Sequence, residues 1–137
     1  MNTKISHLVF GVYPENMSFY KDLMTFMGWK VIYADATMLG VRGSDGASIW
    51  FGPPLKDGKN DYDAAGLNHL GIDAPSVADV DAVCSYLQEC GVPALFETPR
   101  HRPEFSGDER DYYQVMFESP DRILYEVVYT GPKEVAA

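Results

Sequence analysis

The stretch "NHLGIDAPSVADVDAVCSYLQECGVPALF", residues 68–96, decides the fold, because "SHLVFGVYPENMSFYKDLMTFMGWKVIY" at 6–33 has already followed the same plan. Each opens on a short apolar strand with a histidine near its start, turns through a proline into a helical pattern, and ends on glycine and another strand-like run. His69 follows His7 by 62 residues and Gly91 follows Gly28 by 63, so the copies keep register to one residue. An offset held over a whole unit is the mark of internal duplication.

The helical segments carry one apolar face each: Phe19, Leu23, Phe26 and Met27 in the first, Val80, Val83, Cys84 and Leu87 in the second. Gly28 and Gly91 sit where a helix end calls for a left-handed residue. Ser76 with Asp79 predicts an N-cap with acidic first-turn support, and Pro14 and Asn16 are assigned the same work in copy one.

Three strand-like runs follow each helix: 29–35, 37–42 and 47–52 in the first copy, with a hairpin signal in "GSDG" at 43–46, and 92–97, 112–118 and 122–130 in the second, with a longer connection at 98–111. Each copy therefore reads as βαβββ. The predicted organisation is one α+β domain over 1–137 in which two βαβββ modules form a cupped mixed sheet: module one at 4–52, a linker rich in Gly, Pro and Asp at 53–66, module two at 67–130, and a tail at 131–137. A sheet with one helix leaves its other face uncovered, so two sheets are expected to curl against each other or against those of a second chain, in a homodimer. The space between them is a cleft for a small-molecule substrate.

With 137 residues and 46% hydrophobic side chains, the chain suffices for one core. A net charge of −9 argues against nucleic acid and anionic membrane surfaces as partners, since both select clustered basic residues. "MNTKISHLVF" lacks a signal-type apolar run and no window approaches a membrane span, so the expected location is cytoplasmic. Cys84 and Cys90 fall on different faces of the second helix and read as reduced packing thiols.

Strand alternation puts Leu8, Phe10 and Val12 under the helix and Ile5, His7, Val9 and Gly11 on the other face; in the repeat, Leu70 and Ile72 oppose Leu67, His69 and Gly71. Both histidines thus face the same way. In "RILYEVVYTG", Glu126 stands within a run that should be buried, where an unpaired carboxylate is costly. Two neutral imidazoles and a carboxylate form a 2-His-1-carboxylate metal environment, which predicts His7, His69 and Glu126 as ligands. An ion pair of Glu126 with Arg100, Arg102 or Arg110 would account for the carboxylate without metal.

The segments "HLVFGV…FYKDLMTFMGW", "GLNHLGIDAPSVADVDAVCSYLQECGV" and "YYQVMFESPDRILYEVV" resemble the glyoxalase/bleomycin resistance protein/dioxygenase family, the vicinal oxygen chelate superfamily, over residues 4 to 130. The resemblance implies metal ligands on the first and last strands of the modules, which carries over to His7, His69 and Glu126. The remaining ligand position aligns with Trp50, whose indole cannot replace a carboxylate. That departs from glyoxalase I, which uses carboxylates at both module ends. It agrees with extradiol dioxygenases, which hold Fe(II) through two histidines and one glutamate. Fosfomycin-resistance thiol transferases use the same three ligands with Mn(II), but their basic and hydroxyl-rich potassium and phosphonate residues are not evident here. The closing motif reads "SPDR" without the family's usual glycine, which predicts a changed turn.

The resemblance implies an extradiol-dioxygenase-like metalloenzyme acting on a small substrate with adjacent oxygens, with Fe(II) or Mn(II) favoured over Ni, Co, Zn or Mg. The alternatives are a glyoxalase-I-like isomerase or lyase and a metal-free binding protein of the bleomycin-resistance kind. Tyr112, Tyr113 and His101 are the predicted acid/base candidates. The insert "TPRHRPEFSGDER" gathers Arg100, His101, Arg102 and Arg110, a candidate lid for an anionic substrate group, with Asp108 and Glu109 as competing ion-pair partners.

Overall fold

The computed structural model describes residues 1–134, and the last part of the predicted tail, 135–137, lies outside the described residues. Two compact units divide the chain, one over Met1–Lys59 and one beginning at Asn60. Each contains one copy of the duplicated plan.

In the first unit β1 (His7–Gly11) leads through a 3-10 turn at Pro14–Asn16 into α1 (Met17–Phe26), followed by β2 (Lys30–Ala34), β3 (Leu39–Arg42) and β4 (Ser48–Gly52). The sheet order is β1-β4-β3-β2, with β1 parallel to β4 and the other pairs antiparallel. Gly43 and Gly46 close the β3–β4 hairpin as "GSDG" predicts, with the Gly46 amide donating to the Gly43 carbonyl. The buried face of α1 is Tyr20, Leu23 and Met24, one step round from the predicted Phe19–Leu23–Phe26–Met27 face, and Phe26 is exposed. Apolar residues surround this helix, and packing makes the choice: the Tyr20 ring stacks on Phe51 at 4.7 Å. Asn16 gives no side-chain cap to α1; the 3-10 turn begun by Pro14 leads the chain into the helix instead.

The second unit holds β5 (Leu70–Asp73), α2 (Val77–Glu89), β6 (Leu95–His101), the short α3 (Pro103–Ser106), β7 (Arg110–Glu118) and β8 (Leu124–Pro132). Its sheet order, β5-β8-β7-β6, repeats that of the first, again with one parallel pair. Ser76 caps α2 by accepting from the Asp79 amide at 3.1 Å, and Val80, Val83 and Leu87 are buried. Phe117 and Tyr125 stack at 5.3 Å in the core beneath.

The sequence reading places β6 at 92–97 and a connection at 98–111; the strand actually runs from Leu95 to His101. A bulge with left-handed Phe96 and Glu97 lets it pass Pro99 and regain register with β7 at Arg100↔Gln114 and His101↔Tyr113. Arg122, where the family resemblance expects glycine, has φ of +61°, so the substitution keeps a left-handed turn rather than changing it. Among the described residues no helix is long and apolar enough to cross a membrane.

Candidate functional site

Register fixes which side chains share a face. On β7 and β8 the pairs Tyr112↔Thr130, Gln114↔Val128 and Met116↔Glu126 point away from α2, while Tyr113↔Tyr129, Val115↔Val127 and Phe117↔Tyr125 point toward it. Gly71 pairs with Glu126 on the parallel side. Glu126 is therefore held in the middle of a sheet face with a glycine on one flank and a methionine on the other, and it is 3% exposed.

A buried carboxylate needs donors, and the neighbouring strand supplies them. Tyr112 Oη donates to Glu126 Oε1 at 2.5 Å and Gln114 Nε2 donates to the same oxygen at 2.8 Å. The other oxygen, Oε2, lies 2.9 Å from His69 Nε2. His69 immediately precedes β5 instead of lying within it, and its ring is more than a third exposed. Burial, then the bond to Glu126, pushes the Tyr112 phenol up to about 12, against a smaller opposing effect of the Arg102 charge.

The tautomer of His69 follows from its other neighbours. Asn68 Nδ2 donates to the Tyr62 carbonyl at 3.1 Å, which turns Asn68 Oδ1 toward His69 Nδ1 at 2.7 Å. Nδ1 is thus the nitrogen that donates to Asn68 Oδ1, and Nε2 faces Glu126 Oε2. Two lone pairs at 2.9 Å repel unless a cation stands between them: a proton on Nε2 or a metal ion bound to both. Cis donors each about 2.1 Å from an octahedral ion stand about 3 Å apart, so the spacing fits a shared divalent ion. The donor set, one imidazole nitrogen and one carboxylate oxygen with fixed outer partners, fits as well.

The remaining predicted residues are placed as follows. His7 begins β1 in the first unit, exposed, with Ser6 Oγ 3.1 Å from Nδ1. Among the described residues, no group of three or more His, Cys, Asp or Glu is gathered to hold a metal ion. Of the three acid/base candidates only Tyr112 touches Glu126. Tyr113 and His101 lie on the α2 side of the sheet, Tyr113 Oη donating to Asp81 at 2.6 Å and His101 Nδ1 lying 2.6 Å from Asp111. Tyr113 is shifted upward chiefly by burial.

The arginine partners foreseen for Glu126 do not contact it directly. Arg102 reaches it at one remove, Nη1 donating to Gln114 Oε1 at 3.0 Å. The insert's acidic partners are Glu104 for Arg102 and Glu97 for Arg100, in place of Asp108 and Glu109. Gln114 and Asn68, the two amides that orient the site, escaped the sequence reading. The alternation of Tyr112 and Gln114 on one face was visible, but only the β7–β8 register sets them against Glu126.

In the first sheet the pair Val9↔Trp50 occupies the place of Gly71↔Glu126 in the second. This gives structural support to aligning Trp50 with the carboxylate position. Two βαβββ sheets of identical strand order, each with a parallel first–last pair, decide the architecture. The fold is that of the glyoxalase/bleomycin resistance/dioxygenase proteins.

Solved structures with this glyoxalase-type fold bear it out. A candidate glyoxalase of Bacillus halodurans is similar at 25% identity and a TM-score of 0.75, over 91% of this chain and 94% of that one. A glyoxalase/dioxygenase from Nostoc punctiforme is 16% identical with a TM-score of 0.73, over 95% and 92%. A glyoxalase/bleomycin resistance protein from Albidiferax ferrireducens is 20% identical, also at 0.73, over 91% and 98%. No family model and no curated protein matches the sequence.

Proposed function

We propose that this protein is a cytoplasmic, homodimeric metalloenzyme in which His69 and Glu126 hold a divalent ion, Fe(II) or Mn(II), with His7 of a second copy as third donor. The observation that carries the reading is the 2.9 Å approach of His69 Nε2 to Glu126 Oε2, with both outer atoms committed to other partners. His7 is supported as a donor from outside by its exposed position and by the exposed Ile5 and Val9 beside it, an apolar rim suited to association.

Bound there, the ion would act as a Lewis acid on two adjacent oxygens of a small substrate, easing loss of a hydroxyl proton. The chain's own residues do the rest. Asn68 keeps His69 in the donor tautomer, and Gln114 and Tyr112 keep Glu126 Oε1 occupied. Tyr112, which donates to Glu126 Oε1, is the acid/base candidate in contact with the site. Extradiol-type ring cleavage is preferred to glyoxalase-type isomerisation, because Trp50 removes a second carboxylate. A metal-free binding role is favoured by one observation, the Trp50 ring lying flat against Gly40 near Tyr33 as an aromatic plate.

The test is complementation. His7→Ala and Glu126→Ala variants, purified separately and loaded with Fe(II), are each expected to hold little metal. Co-expressed, they should form mixed dimers with one intact site, restoring about a quarter of the wild-type metal content. Undiminished metal in Glu126→Ala would overturn the metal centre, and no restoration on mixing would overturn the shared site. Oxygen uptake with a panel of catechols then separates ring cleavage from isomerase or lyase chemistry.

A further inference from the structure

The carboxylate of Glu126 is approached by two donors at one oxygen and by none but His69 at the other. Tyr112 and Gln114 both donate to Oε1. A carboxylate oxygen has two in-plane lone pairs, so Oε1 is saturated, while Oε2 is met by His69 Nε2 alone.

That asymmetry depends on which way the Gln114 amide faces. Flipped, its oxygen would oppose the carboxylate and its NH2 group would oppose a guanidinium. Arg102 forbids the flip, because its Nη1 donates to Gln114 Oε1 at 3.0 Å and a guanidinium has no acceptor to offer. Arg102 is itself bracketed: Nε donates to Glu104, its guanidinium carbon lies 4.6 Å over the Phe105 ring, and Phe105 meets Tyr112 edge-on at 5.2 Å. Pro103 opens the short α3 that presents Glu104 and Phe105. The insert is thus built onto the same pair of side chains that hold Glu126.

We infer that Arg102, acting through Gln114, is a positioning residue that restricts Glu126 to single-oxygen metal binding through Oε2. The consequence is one of coordination number. Two imidazoles and one carboxylate oxygen would supply three donors to a six-coordinate ion and leave three places open, whereas a two-oxygen carboxylate would leave two. The inference rests on the metal centre proposed above.

The experiment uses Co(II) alone as probe on the full chain, reading both affinity and the visible absorption bands, which report coordination number. Gln114→Met, close in volume but without donors, is expected to weaken Co(II) binding by about 10- to 100-fold and to alter the bands. Arg102→Met, at a less buried position, should change the bands in the same sense with a smaller loss, about tenfold. Arg102→Lys, which can still donate to Gln114, should recover most of it. Wild-type bands and affinity in Gln114→Met and Arg102→Met would overturn the inference while leaving the metal centre standing. A lowered melting temperature with unchanged bands would mark a merely structural role and would also overturn it. No Co(II) uptake by the wild type would sink the metal centre and the inference together.

Discussion

The two sheets place different chemistry at one backbone position. In the first, Val9 pairs with Trp50, and the indole packs so closely on Gly40 that an added Cβ there would stand 2.7 Å from its ring; its Nε1 donates to Ser48 Oγ at 3.1 Å. In the second, Gly71 pairs with Glu126, and a Cβ on Gly71 would meet nothing within 4 Å. Duplication has preserved strand order and register while the occupant changed from an aromatic plate to a hydrogen-bonded carboxylate. Backbone pairing carries the fold, and the chemistry resides in which side chains the neighbouring strand offers: Gln114 and Tyr112 as donors in one sheet, a bare glycine in the other.

Removing the carboxylate breaks the comparison most severely. Glu126→Ala should abolish measurable metal binding. It should also destabilise the fold by about 1–3 kcal/mol for each donor left unsatisfied, because Tyr112 and Gln114 lose their common acceptor. Urea titration of the metal-free protein reads the second effect apart from the first. Stability equal to wild type would mean that water replaces the carboxylate and that the network is not closed.

Swapping glycines compares the two sheets directly. Gly40→Ala must displace the Trp50 ring and is expected to cost about 1–3 kcal/mol, with a shift in tryptophan emission. Gly71→Ala, on the opposite, parallel-paired flank of the matching position, where a Cβ meets nothing within 4 Å, should stay within about 0.5 kcal/mol. Equal costs would show that the two positions are not as differently packed as their registers imply.

The turn before β8 provides a finer contrast. Arg122 is left-handed at φ +61°, lies 4.2 Å over the Tyr62 ring, and bonds Asp61 at 3.2 Å and Asp63 at 2.9 Å. Tyr62 in turn hydrogen-bonds Glu118, and its carbonyl orients Asn68. Arg122→Ala should lose this clamp and keep the backbone strain. Arg122→Gly should lose only the clamp and be about 1 kcal/mol more stable than the alanine variant. A glycine variant no more stable than alanine would mean that the turn relaxes when the clamp is gone.

The modular fold was legible because it rests on local signals that repeat: histidine, proline turn, helical period and glycine stop recur in register. The α1 face was misread because Phe19 and Tyr20 are both apolar and only Phe51, from a distant strand, selects between them. The β6 boundary was hidden by Pro99, since a proline ordinarily argues against a strand and the bulge that accommodates it leaves no sequence signature. Glu126 and His69 were legible as anomalies in apolar strands. Gln114 and Asn68 were not, because an amide that orients a ligand looks like any other amide until register brings it within reach.

The smallest expected effect tests which face of α2 the second sheet covers. Cys84 borders an apolar recess of about 240 Å³ with Leu87, Val92, Pro99 and Val115, whereas Cys90 lies exposed just past the helix. Burial, then the nearby Asp81 charge, pushes the Cys84 thiol up to about 11. Because the folded value is the raised one, the unfolded chain ionises first. The group's contribution to stability is whole below the ordinary thiol range and is lost as pH rises toward 11. At pH 9, iodoacetamide should therefore alkylate Cys90 first, with Cys84 slower by roughly tenfold, as read by peptide mass spectrometry. The difference should vanish in urea. Equal rates in the native protein would put Cys84 outside the seam between α2 and the sheet and would undo the assignment of that helix face.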